Sequence, residues 1–385
     1  MPKTQPVSHI LLPLLTAALI YAAYWQIDTT DISNSYGPWI QHIGERGPLR
    51  AFAEPFGDYA PPYYYLLALL SLARGFVSDL SLVKLASVIS VLLLALAVWR
   101  LLHSLGVAQA DRFAAWVPVL PTIAINAAVT ASCDGLWAAP CVMALAMAQE
   151  RRHKAMLLWC GLALAVKVQA IFMAPFVLAL LIARRVPVHH WFLAPLAAVA
   201  AYLPAWLCGW PAADLATIYL HQAGFSEKMS LNAPNIWAIV QLYGSGNLQM
   251  LSRIALAAAV AASLAYIALL ARRQLEGPAL VAAATLSSLI VVGLLPHMHE
   301  RYFFLADVLA FALAATLASR RAWIDAALVQ AGSALGIYAY IVQEPWLAAA
   351  GAVPMFAATW RLAEPFVGSG PAETDSVIRQ APATL

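Results

Sequence analysis

Charge is scarce in this sequence. Its 22 Lys and Arg and 19 Asp and Glu make up 11% of 385 residues, where a soluble domain carries roughly 25%. With 63% hydrophobic residues and a mean hydropathy of +0.75, the composition excludes a soluble globular fold. A net charge of +3 is too small to suggest a nucleic-acid binder. Cysteine is scarce too: Cys133, Cys141, Cys160 and Cys208 lie scattered in apolar segments, a spacing that supports neither a disulfide framework nor a zinc site. There is no tandem repeat and no soluble domain. The first apolar run, 10–25, lacks a small-residue cleavage site before an acidic loop, so it reads as a retained helix rather than a signal peptide.

What remains is a succession of apolar runs at helical length, which predicts an all-α, polytopic membrane protein. Basic residues mark the expected cytoplasmic side: Lys3, 151–154, Arg184-Arg185, Arg272-Arg273 and Arg320-Arg321. The segments between them, 28–62, 132–134, 167–169, 209–235, 296–301 and 343–345, then face outward. About twelve crossings follow. Parity fails in one place: two apolar runs, 63–73 and 82–102, lie where only an odd number of crossings fits. Either one run is re-entrant or interfacial, or the positive signal at Arg100 and Arg112 misleads. The expected organisation is one transmembrane catalytic domain over 1–366, with external loops at 28–62 and 209–235, and a disordered cytoplasmic tail over 367–385.

The loop 28–62 is the longest polar segment before the tail. Apolar residues mixed among its polar ones suit short helices lying in the membrane interface, broken at Gly47-Pro48; a plain solvated connection is the other reading. Ionisable groups beside apolar runs are costly and mark candidate sites. They occur at Asp31 and Asp58, at Asp134, at Lys167 with Gln169, and at His297, His299, Glu300 and Arg301. All map to one membrane face, and this convergence looks like a site for a phosphorylated ligand. Bland readings stand beside these. Asp134 is equally placed to cap the helix that follows. Lys167 could snorkel, although its apolar flanks favour a ligand or a carboxylate partner. His297 and His299 could hold a metal, but on one helix they would point to different faces.

The motifs GDYAPPYYYLL, SCDGLWAAPCVMALAMA, GLALAVKVQAIFMAPF, NAPNIW and PHMHERYFFLADVL, with Asp31 and Trp39 spaced as D-x7-W, resemble bacterial GT-C membrane glycosyltransferases. These are relatives of the second GPI-anchor mannosyltransferase and, more distantly, of the dolichyl-phosphate-glucose-dependent glucosyltransferases. The resemblance covers about residues 10–315, with KVQAIF and MHERYFF its most specific parts. It implies a GT-C fold in the bacterial inner membrane with its site facing the periplasm. It also implies transfer of a hexose, mannose foremost, from a polyprenyl-phosphate donor to a lipid-linked or cell-envelope glycan acceptor. Asp31 would be the base, with Asp58 nearby, and Lys167, His299 and Arg301 would hold the donor phosphate. Many relatives carry GQxD where this chain has Ala131-Ser132-Cys133-Asp134, which leaves the role of Asp134 open. No cofactor is expected; a divalent metal is possible but not favoured. One base without a nucleophile suits a single, inverting displacement. A transporter, flippase or polymerase of polyprenyl-linked glycans is the competing class, though the halves show none of the internal symmetry common in transporters.

Overall fold

Proline and glycine, more than charge, punctuate these helices. The computed structural model describes residues 8–222, 227–244 and 246–368. The expected tail therefore lies outside the described residues from 369 onward, as does Lys3. Among the described residues the protein is all-helical apart from one short strand pair.

The first helix, α1 (Ser8–Ala23), leads into the polar loop. That loop forms a π turn (Ile32–Tyr36), the amphipathic α2 (Gly37–Arg46) and a 3-10 turn (Arg50–Ala53). α2 ends at Gly47, whose φ of 90° is open to glycine and costly to other residues. The short helices expected in this loop are thus present. α3 (Pro61–Ser71) starts on two prolines, which suit a first helical turn because no intrahelical N–H is lost there.

α3 resolves the parity conflict. Its 11 residues reach only about 16 Å, too short to span. Its far end returns to the first loop, where Arg74 ion-pairs with Asp79 at 2.7 Å and donates to the Gln41 carbonyl of α2. Both ends of α3 therefore lie at the same end of the bundle. α4 (Asp79–Ser104) follows as a full-length helix capped by the Ser78 side chain.

The apolar run 113–129 is broken. α5 (Ala110–Trp116), a 3-10 turn, α6 (Pro121–Ala124) and a π turn (Ile125–Val129) replace it, with a 50° bend. Pro118 and Pro121 each remove a backbone donor, which accounts for the break. Lys84 of α4 is buried here and donates to the carbonyls of Tyr24, Ala128 and Val129, satisfying helix-end acceptors that would otherwise be orphaned.

α7 (Asp134–Gln149) and α8 (His153–Val166) run antiparallel. A 3-10 turn (Val168–Met173) then leads to α9 (Ala174–Ala183). α10 (Val188–Trp191) and α11 (Leu193–Leu207) form one apolar stretch, followed by the short α12 (Ala212–Gln222) and α13 (Ile236–Leu242). α14 (Leu248–Leu270), α15 (Gly277–Leu294), α16 (Phe304–Leu317), α17 (Arg320–Val342) and α18 (Pro345–Gly368) complete the bundle.

Among the described residues, five helices are long and apolar enough to cross a membrane, or six with the bent pair taken as one span. Several shorter apolar helices, such as α8 and α16, pack among them. These are the features of a membrane-embedded helical protein. The largest apolar core joins α4, α7, α9, α15 and α16. Close helix approach rests on small residues. A Cβ on Gly135 would sit 2.5 Å from the Ser90 carbonyl oxygen, and one on Gly161 would sit 2.1 Å from that of Ala194.

A second core is aromatic and lies under the first loop. Tyr36, Trp39, Phe52, Tyr63, Tyr64 and Trp210 are buried together. Trp39 meets Tyr36 and Tyr64 edge-on with ring centroids 5.4 Å apart in both cases, a geometry that aromatic quadrupoles favour. This platform fixes the loop over one end of the bundle.

Candidate active site

The site forms where three breaks in helical structure meet. The first is the turn before α7. Ala131 has a φ of 52°, which swings Ser132 and Asp134 inward. Asp134 opens α7 without capping it: the cap residue is Cys133, with no side-chain cap bond. Its carboxylate instead accepts from Asn126 Nδ2 at 3.0 Å, Ser132 Oγ at 2.9 Å, Trp137 Nε1 at 2.9 Å and Lys167 Nζ at 2.7 Å. Every partner is a side chain, so the helix-capping reading of Asp134 does not describe it.

The second break is Lys167, extended (φ −159°, ψ 138°) between α8 and the 3-10 turn. The extended backbone aims its side chain into the protein rather than along the helix. The ammonium is 7% exposed and its partner Asp134 is 2% exposed. It also donates to Tyr59 Oη at 3.3 Å and sits 4.9 Å from the Tyr59 ring centroid. This is carboxylate pairing, not snorkelling.

The third break is the turn between α15 and α16. Here a two-residue parallel strand pair joins β1 (Ser230–Leu231) to β2 (Met298–His299). The Glu300 N–H donates to the Leu231 carbonyl, and the His297 N–H to that of Met229. The loop 209–235 is thereby tied to this turn. Asn235 reinforces the tie: its side chain caps α13 and also donates to the carbonyls of Val292 and Leu295 at the end of α15.

From this turn Arg301 reaches three carboxylates. Its Nη1 donates to Asp31 Oδ2 at 2.8 Å and Glu300 Oε1 at 3.1 Å, and its Nε lies 3.9 Å from Asp134 Oδ2. His299 Nδ1 is 3.6 Å from Glu300 Oε2. Burial alone would raise the Glu300 carboxyl, but Arg301 and His299 outweigh it and hold the group below its ordinary value. Burial pushes the Tyr59 phenol well up, so it stays a neutral hydroxyl that accepts from Lys167.

Asp31, Asp134 and Glu300 therefore share two permanent cations, Lys167 and Arg301. Leaving histidine out of the count, the cluster carries one excess negative charge. Beside it opens a cavity of ≈ 430 Å³ walled by Asp58, Tyr59, Lys167, Gln169, His299 and Arg301, with Trp210, Asp214 and Ile218 facing them from the second loop.

The sequence-derived candidates thus divide. Lys167, Gln169, His299 and Arg301 share the cavity, with Asp58 on its exposed rim. Asp31, Asp134 and Glu300 lie behind it, joined through Arg301 and Lys167. His297 is turned elsewhere. With a φ of 60°, its ring donates from Nδ1 to the Lys228 carbonyl at 2.7 Å and meets Ser252 Oγ through Nε2 at 3.0 Å; it does not line the cavity. Among the described residues, no three His, Cys, Asp or Glu side chains form a metal-binding group.

Sequence reasoning missed Tyr59, Trp210 and Asp214, and it missed Asn126. Tyrosines and tryptophans pass for interface anchors in a membrane protein, so the first two gave no signal. Asn126 did give one: an amide inside an apolar run is also costly to bury without a partner, though less so than a charge. No protein-family model matches this chain, and no curated protein matches it.

Proposed function

We propose that the protein is a membrane glycosyltransferase of GT-C type with about twelve crossings, its site facing the periplasm of a bacterial inner membrane. It would take a hexose, mannose foremost, from a polyprenyl-phosphate donor and hand it to a lipid-linked or envelope glycan acceptor. One observation carries the reading: a single cavity under the first loop is lined by Lys167, His299, Arg301 and the carboxylate Asp58, with Asp31 held behind it by its ion pair to Arg301. A lipid monophosphate leaving group needs such cations, and an attacking hydroxyl needs a nearby carboxylate base.

The ion pairs suggest an order of events. Without donor, Arg301 holds the Asp31 carboxylate. A donor phosphate on Arg301 competes for that guanidinium and releases Asp31. The freed carboxylate takes the acceptor proton as the acceptor oxygen bonds to the anomeric carbon. The bond to the phosphate oxygen breaks in the same displacement, and configuration inverts.

The test is an assay of purified protein with a panel of polyprenyl-phosphate sugars, with the product's anomeric configuration determined. Asp31→Asn keeps size but removes the proton acceptor, so turnover should fall about 10²-fold or more with donor binding not weakened, since a neutral amide competes less for Arg301. Asp58→Asn should affect binding and turnover together. If Asp58→Asn alone abolishes turnover, the base is Asp58. If the protein moves a lipid-linked glycan across vesicles and never forms a glycosidic bond, it is a flippase and this proposal fails.

A further inference from the structure

A second cavity lies at the opposite end of α7 and α8 from the candidate site. α8 has Lys167 at one end and His153 at the other, 14 residues apart, or roughly 20 Å. The cavity, ≈ 480 Å³, is walled by Arg151, Arg152, Lys154, Arg184, Arg185 and His190, with no carboxylate in its wall. The nearest acids are already engaged. Glu276 pairs with Arg151, and Glu150 divides itself between Arg100 and Arg152. Arg184 is a structural member, donating to the carbonyls of Ala148 and Leu275. Lys154 and Arg185 have no acidic partner among the described residues.

Two of these side chains are held at a conformational cost. Arg151 and Arg185 each follow a helix end in the left-handed region, with φ of 57° and 50°, where glycine is the favoured residue. A cation benefits a helix C-terminus, and an excess of cations on this face suits the expected cytoplasmic side. Neither effect requires that five cations surround one hollow.

The surroundings identify the ligand class. Pro187 lines the cavity, and the next residue begins the apolar stretch Val188–Leu207, almost none of which is buried. Val188, Phe192, Leu196, Val199 and Leu203 are exposed at spacings of four and three, so they form one stripe rising from the cavity rim along the helix. A polar anionic group at the rim and an apolar chain on the stripe is the shape of a phospholipid. We propose that this cavity binds the phosphate of an anionic membrane phospholipid whose acyl chain lies along the Val188–Leu203 stripe. The field is permanent, since Arg and Lys stay charged at neutral pH, and each such cation strengthens attachment of an anionic lipid. The site is independent of whatever the first cavity transfers.

The experiment uses the full chain, purified in neutral detergent, with the lipid carried through detergent exchange read by native mass spectrometry. Phosphatidylglycerol should be retained about tenfold or more over phosphatidylcholine, and the double variant Lys154→Gln/Arg185→Gln should lose that preference. Arg185→Lys keeps the charge and should keep the lipid. Phe192→Ser, which removes an apolar contact from the stripe and no charge from the cavity, should weaken retention of phosphatidylglycerol. Equal retention of the two lipids by the unaltered protein overturns the proposal, whatever the variants do. So does displacement of phosphatidylglycerol by millimolar inorganic phosphate, which would make the ligand a free phosphate.

Discussion

At the scale of single residues, the cost of burying charge decides both what could be read and what should break. Lys167 stood out because nothing apolar explains an ammonium between two half-helices. Its partner could not be read, since Asp134 is 33 positions away and no periodicity joins them. Removing one member of so buried a pair leaves the other uncompensated. Lys167→Ala should therefore destabilise the protein by about 3–5 kcal/mol, measured by denaturation in mixed micelles. The double change with Asp134→Ala should recover part of that loss; no recovery would mean the two groups are not coupled. Glu300 gives a pH effect of known sign. Its folded carboxyl is held below the ordinary 4.5, so its contribution is complete above about 4.5 and fades as pH falls through the lower folded value. Melting temperature should drop over that acid window, and Glu300→Gln should flatten the drop. A drop of the same size in the variant would place the acid-sensitive group elsewhere.

At the scale of elements, helix positions were legible and helix breaks less so. The apolar runs of α4, α14, α15 and α17 stand near where their hydrophobicity placed them, because a long uninterrupted run has few alternatives. The run 113–129 broke at prolines that were visible but could have kinked a continuous helix instead. The return of α3 was one of two options left by charge parity, and the ion pair between Arg74 and Asp79 that fixes it is local. The strand pair between 230–231 and 298–299 had no signature, since two residues are too few to show a period. Helix contacts turn on small residues. Gly135→Ala pushes a methyl group into the Ser90 backbone beside Asp134, and overpacking of this kind costs about 1–3 kcal/mol. It should lower stability and turnover together. Gly161→Ala, against Ala194, lies away from the cavity and should lower stability with turnover per folded molecule preserved. If both variants melt like the parent, the packing described for these helices is wrong.

At the scale of the whole molecule, the two cavities at opposite ends of α7 and α8 give the bundle a direction. A cysteine at Asn34, exposed in the first loop, should react with an impermeant thiol reagent in intact cells, whereas one at Arg272 should react only after permeabilisation. The reverse result would invert the protein and move the candidate site to the cytoplasm. The candidate site has a further property that follows from where its members fall along the chain. Asp31 and Arg301 are 270 residues apart, so a ribosome adding about 5–20 residues per second makes the carboxylate roughly 15–50 s before the guanidinium that pairs with it. Until then the first loop is an acidic flap without its guanidinium anchor. A nascent or truncated chain that ends before residue 301 lacks the guanidinium that joins Asp31 to Glu300 and Asp134, so the candidate site is completed only late in synthesis.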